Sequence, residues 1–303
     1  MRVHIEKSLR NLLPAVTLLV TFPLAARATE VAPRAKPVFL WKVTAGQGTV
    51  YLLGSIHAAK PEIYPLDERI EKAFKSADVL VVEVDASADK MLSLAGAMMQ
   101  KAMYPPGDSL DKHISTDLFE QTKQHLARSG IPIDQWKQFK PWFLAITIAM
   151  LELQQLGIKP ENGIDLHFLN RARGNKQIQE LETADAQLNL LDSFSDAYQE
   201  RFLKYTIQET DNIARNVNDM IRAWSNGEVD WLTAFLQKPT KDFPELRPLL
   251  VKLFDERNKQ MAEKIRDYLN TGKTYFVVVG AGHVVGTNGL VQLLSKHGDV
   301  RQM

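Results

Sequence analysis

The chain of 303 residues contains no cysteine. That absence removes disulfides, thiolate metal ligands and cysteine nucleophiles together, so the fold must rest on core burial alone. An excess of charge of either sign is also missing, with 37 Lys and Arg against 36 Asp and Glu. No basic stripe is available for a nucleic-acid partner. No His-Glu-x-x-His helix occurs, which excludes a zincin and means that any metal site is assembled from distant segments. Three partial motifs lack what would complete them. Gly280-Ala281-Gly282 has its third glycine at Gly286, one place late for a dinucleotide loop, and no room for the following strand with its ribose-binding acid. Thr271-Gly272-Lys273-Thr274 leads into an apolar run rather than a helix, unlike a phosphate loop, and Ser55 sits in Gly-Ser-Ile-His rather than Gly-x-Ser-x-Gly.

One hydrophobic run is present, at the start. Arg2, Lys7 and Arg10 precede an apolar stretch from Leu12 to Leu24, and Ala26-Arg27-Ala28 fits a small-x-small cleavage site. Residues 1–28 therefore read as a secretory signal peptide, and with no second span the chain meets a membrane only through this segment. Pro14 and Pro23 shorten a stretch already below the roughly 20 residues needed to span a bilayer, which favours cleavage over an uncleaved anchor. Removing it takes four of the 37 basic and one of the 36 acidic side chains, leaving a formal charge of −2. Export without disulfides points to a bacterial periplasm.

The remaining chain places strands at both ends and helices between. Val38–Val43 and Thr49–Leu53 flank Ala45-Gly46-Gln47-Gly48 as a β-hairpin, and Leu66–Ala77 has helical periodicity. Val79-Leu80-Val81-Val82 is a strand buried on both faces with Glu83 at its C-terminal end. Helices follow over 91–103, 116–129 and 142–156, another opens at Gly163-Ile164-Asp165, and Lys176–Leu181 is a strand running into Glu182. Ser193–Trp224, Val229–Leu236 and Leu246–Leu269 are helical, Lys273–Val279 is a strand, Gly280–Gly286 a loop, Leu290–His297 a short helix and Val300–Met303 a clipped strand fragment. The expectation is an α/β fold: one domain, 29–303, whose central mixed sheet comes from the N- and C-terminal segments. A helical region at about 87–270 flanks and caps it.

The two end strands carry the same design. Val50–Leu53 runs into Gly54-Ser55-Ile56-His57, and Phe276–Val279 runs into Gly280-Ala281-Gly282-His283. Each delivers an imidazole to the C-terminal rim of a buried strand, where open α/β sheets bind ligands. With Glu83, these groups form the candidate set for a divalent metal such as Mn, Co or Zn, because two neutral imidazoles and a carboxylate leave room for an activated water. A metal-free alternative uses His57 or His283 as general base. Arg257 lies on the apolar face of the last long helix with Leu250, Phe254, Met261 and Ile265, so it must reach a carboxylate or a ligand. It is the candidate for an oxyanion or a substrate carboxylate. Asp165 and Glu182 are second-tier members, Asp165 as a further metal ligand or simply as a helix N-cap. His113, His125, His167 and His297 read as packing or surface residues.

On Leu53-Gly54-Ser55-Ile56-His57, the strand with Glu83, Gly163-Ile164-Asp165, Leu181-Glu182-Thr183, Arg257-Asn258 and Gly280-Ala281-Gly282-His283, the chain resembles the TraB/PrgY/GumN family in its exported bacterial branch. The resemblance implies an α/β core with the two histidines and the glutamate clustered. It also implies kinship with the Tiki metal-dependent proteases and, more distantly, with erythromycin esterases and haem-binding proteins. The expected activity is a periplasmic metal-dependent hydrolase acting on a peptide or small-molecule substrate. The rivals are a non-catalytic binder of a peptide or haem-like ligand and a metal-independent, esterase-like hydrolase.

Overall fold

The computed structural model describes residues 36–86 and 88–303, so the proposed signal peptide lies outside the described residues. Six strands form one mixed sheet: β1 Leu40–Ala45, β2 Gly48–Ser55, β3 Val79–Val82, β4 Gln177–Glu180, β5 Thr274–Gly280 and β6 Asp299–Gln302. Their spatial order is β4-β3-β5-β2-β1-β6. The hairpin partners β1 and β2 are antiparallel, as are β1 and β6, whereas β2, β5, β3 and β4 run parallel. β3 is buried along its whole length, and in β5 only Thr274 is partly exposed. That explains their unbroken Val-rich runs, since strands covered on both faces have no polar side to alternate with.

The pairing of β2 with β5 brings the ends of the chain together. Leu53 lies opposite Val278, Gly54 opposite Val279 and Ser55 opposite Gly280, so the two Gly-x-x-His segments leave adjacent parallel strands at the same rim. On one side of the sheet the rings of Phe74, Phe168 and Phe276 meet at centroid distances of 4.8–5.5 Å. They come from the helices Glu68–Ser76 and Ile164–Ala172 and from β5. The helix Glu256–Leu269 packs against β2 and buries Met261, Ala262 and Ile265. Further apolar clusters, around Leu110, Leu144 and Leu203 and around Phe194 and Leu249, hold the helical middle region together. Among the described residues no helix is long and apolar enough to cross a membrane.

Three expectations need correction. The segment after Gly280 is a helical turn, Ala281–Val284, not a loop. The long helix ending the middle region begins as a short α-turn, Arg247–Leu250, passes through a π-helical stretch at Val251–Asp255 and becomes regular at Glu256. Ser193–Trp224 is broken by a 3-10 turn at Thr210–Asn212. The expected closing strand is present as β6 and pairs, with Trp41 opposite Gln302 and Met303 N–H donating to Leu40 at 2.9 Å. The edge is therefore held by backbone bonds between β1 and β6.

The helix Ile164–Ala172 is pinned to the β2 rim through its first residues. Ile164 N–H donates to the Ile56 carbonyl at 3.0 Å. A Cβ built on Gly163 would lie 2.2 Å from the His57 carbonyl oxygen and 2.9 Å from that of Pro160. Since φ at Gly163 is −65°, an ordinary value, the need for glycine is purely steric. Gly163→Ala is expected to destabilise by about 1–3 kcal/mol, as overpacking against a backbone does, and a urea melt measures this.

Candidate functional site

Glu83 stands one residue beyond β3, beside β5, and its side chain gathers the rim. Its Oε2 accepts from Gly280 N–H at 3.1 Å, and its Oε1 accepts from Gln187 Nε2 at 3.0 Å and from Arg257 Nη2. His283 Nε2 lies 3.6 Å from Oε1. Arg257 also grips Glu182, Nε at 2.9 Å from Oε1 and Nη2 at 2.6 Å from Oε2, and donates through Nη1 to the Leu253 carbonyl at 2.9 Å. The arginine on an apolar face thus meets two carboxylates. Glu83, Glu182 and Arg257 side chains are 12%, 10% and 15% exposed, so each charge depends on the others for the solvation it has lost.

The tautomer of His283 follows from its neighbours. Asn258 Nδ2 donates to the Asn288 carbonyl at 2.8 Å, which turns Asn258 Oδ1 towards His283 Nδ1, 2.6 Å away. Oδ1 can only accept, so Nδ1 carries the proton and Nε2 presents its lone pair towards Glu83. Burial pushes the His283 pKa down to about 4, with Glu83 opposing and Arg257 adding to the shift, and the ring is neutral at neutral pH. Phe254 packs on the imidazole at a centroid distance of 5.2 Å.

His57 is the opposite case. Its side chain is 64% exposed, with Nδ1 3.0 Å from Asp165 Oδ2. Asp165 is not the helix cap, a place taken by Gly163, and its other oxygen accepts from Ser55 Oγ at 2.7 Å. The adjacent Asp165 charge raises the His57 pKa to about 9; burial and Arg257 act against this and Glu83 adds to it. Solvent exposure screens part of that interaction. A Cβ on Gly280 would lie 2.7 Å from His57 Nε2 and 3.7 Å from Glu83 Oε2, so the bare glycine is what lets these two groups approach. Burial raises the Glu83 pKa, but the His283 and His57 imidazoles, the Arg257 guanidinium and the Gly280 N–H outweigh it and bring the value to about 2.

His57, Glu83, His283 and Arg257 therefore meet at one rim, with Glu182 bound to Arg257 and Asp165 reaching the group through His57. The sequence reading missed Gln187, which donates to both Glu83 and Glu182 at 3.0 Å. The signal was Thr183, which caps the helix Ala184–Asp192 through Ala186 N–H and sets Gln187 on its first turns. The other histidines lie elsewhere: His113 bridges Asp108 and Asp196, His125 pairs with Glu152 and His167 with Glu71.

The donor set fits a divalent cation in kind. Both imidazoles have Nδ1 held by an oxygen, the arrangement that orients metal-binding histidines, and both leave Nε2 on the side of Glu83 and Gly280. Among the described residues, however, no three His, Asp or Glu side chains already converge as a metal cage. Arg257 and Gln187 both hold Glu83 Oε1, which leaves Oε2, bonded only to the Gly280 amide, as the freer oxygen.

A sequence model described as the TraB/PrgY/gumN family matches residues 39–302. YbaP of Escherichia coli (strain K12) is 30% identical over 253 residues, 82% of this chain and 89% of its own. A metalloprotease TIKI homolog of Nematostella vectensis is 21% identical over 318 residues, spanning 86% of this chain and 65% of that protein. Metalloprotease TIKI1 of Xenopus tropicalis is 20% identical, with 86% and 60% covered. No solved structure matches the chain.

Proposed function

The chain belongs to the TraB/PrgY/gumN family, and from that premise and the geometry of the rim we propose that it is a metal-dependent hydrolase of the bacterial periplasm, acting on a peptide bond. The observation that carries this reading is the convergence of Glu83 with two imidazoles whose Nδ1 atoms are pinned by Asp165 and Asn258. Nε2 of His57, Nε2 of His283 and Oε2 of Glu83 would hold a divalent cation such as Mn, Co or Zn. Such an ion, when bound, supplies an acidified water and polarises the scissile carbonyl. The chain's own contributions are positional. Asp165 and Ser55 fix the His57 ring at the mouth of the site, and Asn258 fixes His283. Arg257, Gln187 and the Gly280 amide keep Glu83 ionised and still.

The metal-free version is less well supported. In the metal-free protein the Asp165 charge favours the imidazolium form of His57, which cannot take a proton, and a bound cation would have to displace that proton from Nε2. His283 is neutral, but it is buried and its Nε2 faces Glu83 rather than open solvent.

A peptide-library digest read by mass spectrometry, with wild type and Glu83→Gln run with and without chelator, tests the proposal. Glu83→Gln keeps the hydrogen-bonding shape and removes the charge. Cleavage is expected to fall by about 10²–10⁴-fold, the range for loss of an essential acid–base or electrostatic group, and to fall with chelator as well. Identical product profiles for the two proteins would favour the non-catalytic binder and sink the hydrolase.

A further inference from the structure

A pocket of about 190 Å³ adjoins the residues that support His283. Gly282, Asn258 and Phe254 line it: the residue before His283, the residue that holds its Nδ1 and the ring packed on it. Gly282 is bare for a reason, since a Cβ there would lie 2.8 Å from Phe254 Cε1 and lift the phenyl ring off the imidazole. Leu236, Leu250 and Val251 add apolar lining.

Most of the pocket's polar groups are already satisfied from within. Asn288 Nδ2 donates to Asp255 at 2.8 Å, and the hydroxyls of Thr233 and Thr240 donate to the carbonyls of Val229 and Gln237. The exceptions are all able to donate. Among the described residues the Arg247 guanidinium has no hydrogen bond or ion pair, and neither do the side chains of Gln237 and Thr287. An arginine fork over an apolar floor, with a neutral amide and a hydroxyl beside it, is the chemistry that receives a carboxylate.

Asp255 is the one acidic lining residue, and it sits at the His283 end. Arg247 precedes it by eight residues along one helical run, roughly 12 Å at 1.5 Å per residue. Asn288 Nδ2 already donates to Asp255, which engages part of its charge within the wall.

We propose that this pocket is a substrate subsite for an acidic side chain, glutamate or aspartate, with Arg247 as the residue that selects it. The proposal rests on the peptide-hydrolase reading above. A chain lying across Glu83 and His57 advances about 3.5 Å per extended residue, and the proposal places one of its flanking side chains at Arg247.

The test measures binding rather than turnover. Fluorescein-labelled pentapeptides that differ only in a central Glu or Gln are titrated, by anisotropy, into the full-length Glu83→Gln chain and into the same chain carrying Arg247→Ala or Arg247→Lys. The Glu peptide is expected to bind about 10-fold or more tightly than the Gln peptide, as one charge-assisted bidentate contact allows. Arg247→Ala should abolish that difference and Arg247→Lys should keep part of it. Equal binding of the two peptides, or a Glu preference that survives Arg247→Ala, overturns the proposal. Arg247 is exposed and unpartnered, so its variants should keep the fold, and a thermal melt confirms it. Discrimination at Arg247 without any cleavage by wild type would remove the hydrolase reading and leave the subsite standing. Cleavage without discrimination would do the reverse.

Discussion

Arg257→Met is expected to destabilise the protein by about 3–5 kcal/mol, the range for removing one member of a buried ion pair. The substitution leaves Glu83 and Glu182 facing each other through Gln187 with no cation between them. One carboxylate must then take up a proton, and the Glu83 pKa should rise well above its present value of about 2. Equilibrium denaturation in urea at pH 7 gives the first quantity and carboxyl NMR titration the second. Adding Glu182→Gln to Arg257→Met is expected to restore much of the lost stability, because one negative charge balanced by local N–H donors is easier to bury than two. A loss below 1 kcal/mol for the single variant would mean that water enters freely and that the triad contributes little.

The metal-free protein should also lose stability steeply in acid, and the two buried groups act in the same direction. The His283 pKa is depressed on folding from 6.5 to about 4. The unfolded chain therefore binds this proton first, and the contribution is present above pH 6.5 and lost as pH falls through 4. The Glu83 pKa is depressed from 4.5 to about 2, so its contribution is present above pH 4.5 and lost as pH falls through 2. Each shift corresponds to on the order of 3 kcal/mol, and because the groups interact the pair titrates together rather than additively. His57 has the opposite sign: its pKa is raised from 6.5 to about 9, so its contribution is present below pH 6.5 and disappears as pH rises through 9. Its exposure makes that alkaline limb shallow. Stability is thus expected to be greatest near neutrality, with a steep acid limb that flattens in Glu83→Gln. Chemical denaturation at several pH values in chelator checks this, and a flat profile between pH 6.5 and 3 would contradict it.

Much of the site was legible because its parts obey local rules that sequence displays. Val79–Val82 and Phe276–Val279 are apolar without alternation, which marks strands covered on both faces, and a polar residue just past such a run stands at the sheet rim. Arg257 stood out because a guanidinium among Phe254, Met261 and Ile265 has nowhere to go without a partner. What stayed hidden depends on contacts across space. The state of His283 is set by Asn258, and Asn258 is oriented in turn by the Asn288 carbonyl, a chain of three residues with no sequence signature. The helical turn Ala281–Val284 was obscured by Gly282 within it and Gly280 just before it, since glycine favours loops by propensity. Asp165 looked like a helix cap because it sits near a helix start, but the close packing against the His57 carbonyl demands Gly163 there instead. Gln187 was overlooked because one amide on a short helix is unremarkable until two carboxylates are found beside it.

The order of strands in the sheet has a consequence for when the protein becomes complete. β5 lies between β2 and β3, yet it is made long after both, once the entire helical region has been added. Until it arrives β2 and β3 have no partner on their inner edges, and two of the most apolar segments in the chain offer open backbone to any passing strand. A newly made chain is in that condition and prone to mispairing, and non-local closure of this kind is intrinsically slow. The same step that closes the gap brings Gly280 and His283 to Glu83. Insertion of a single late strand therefore ends the aggregation hazard and assembles the candidate site together.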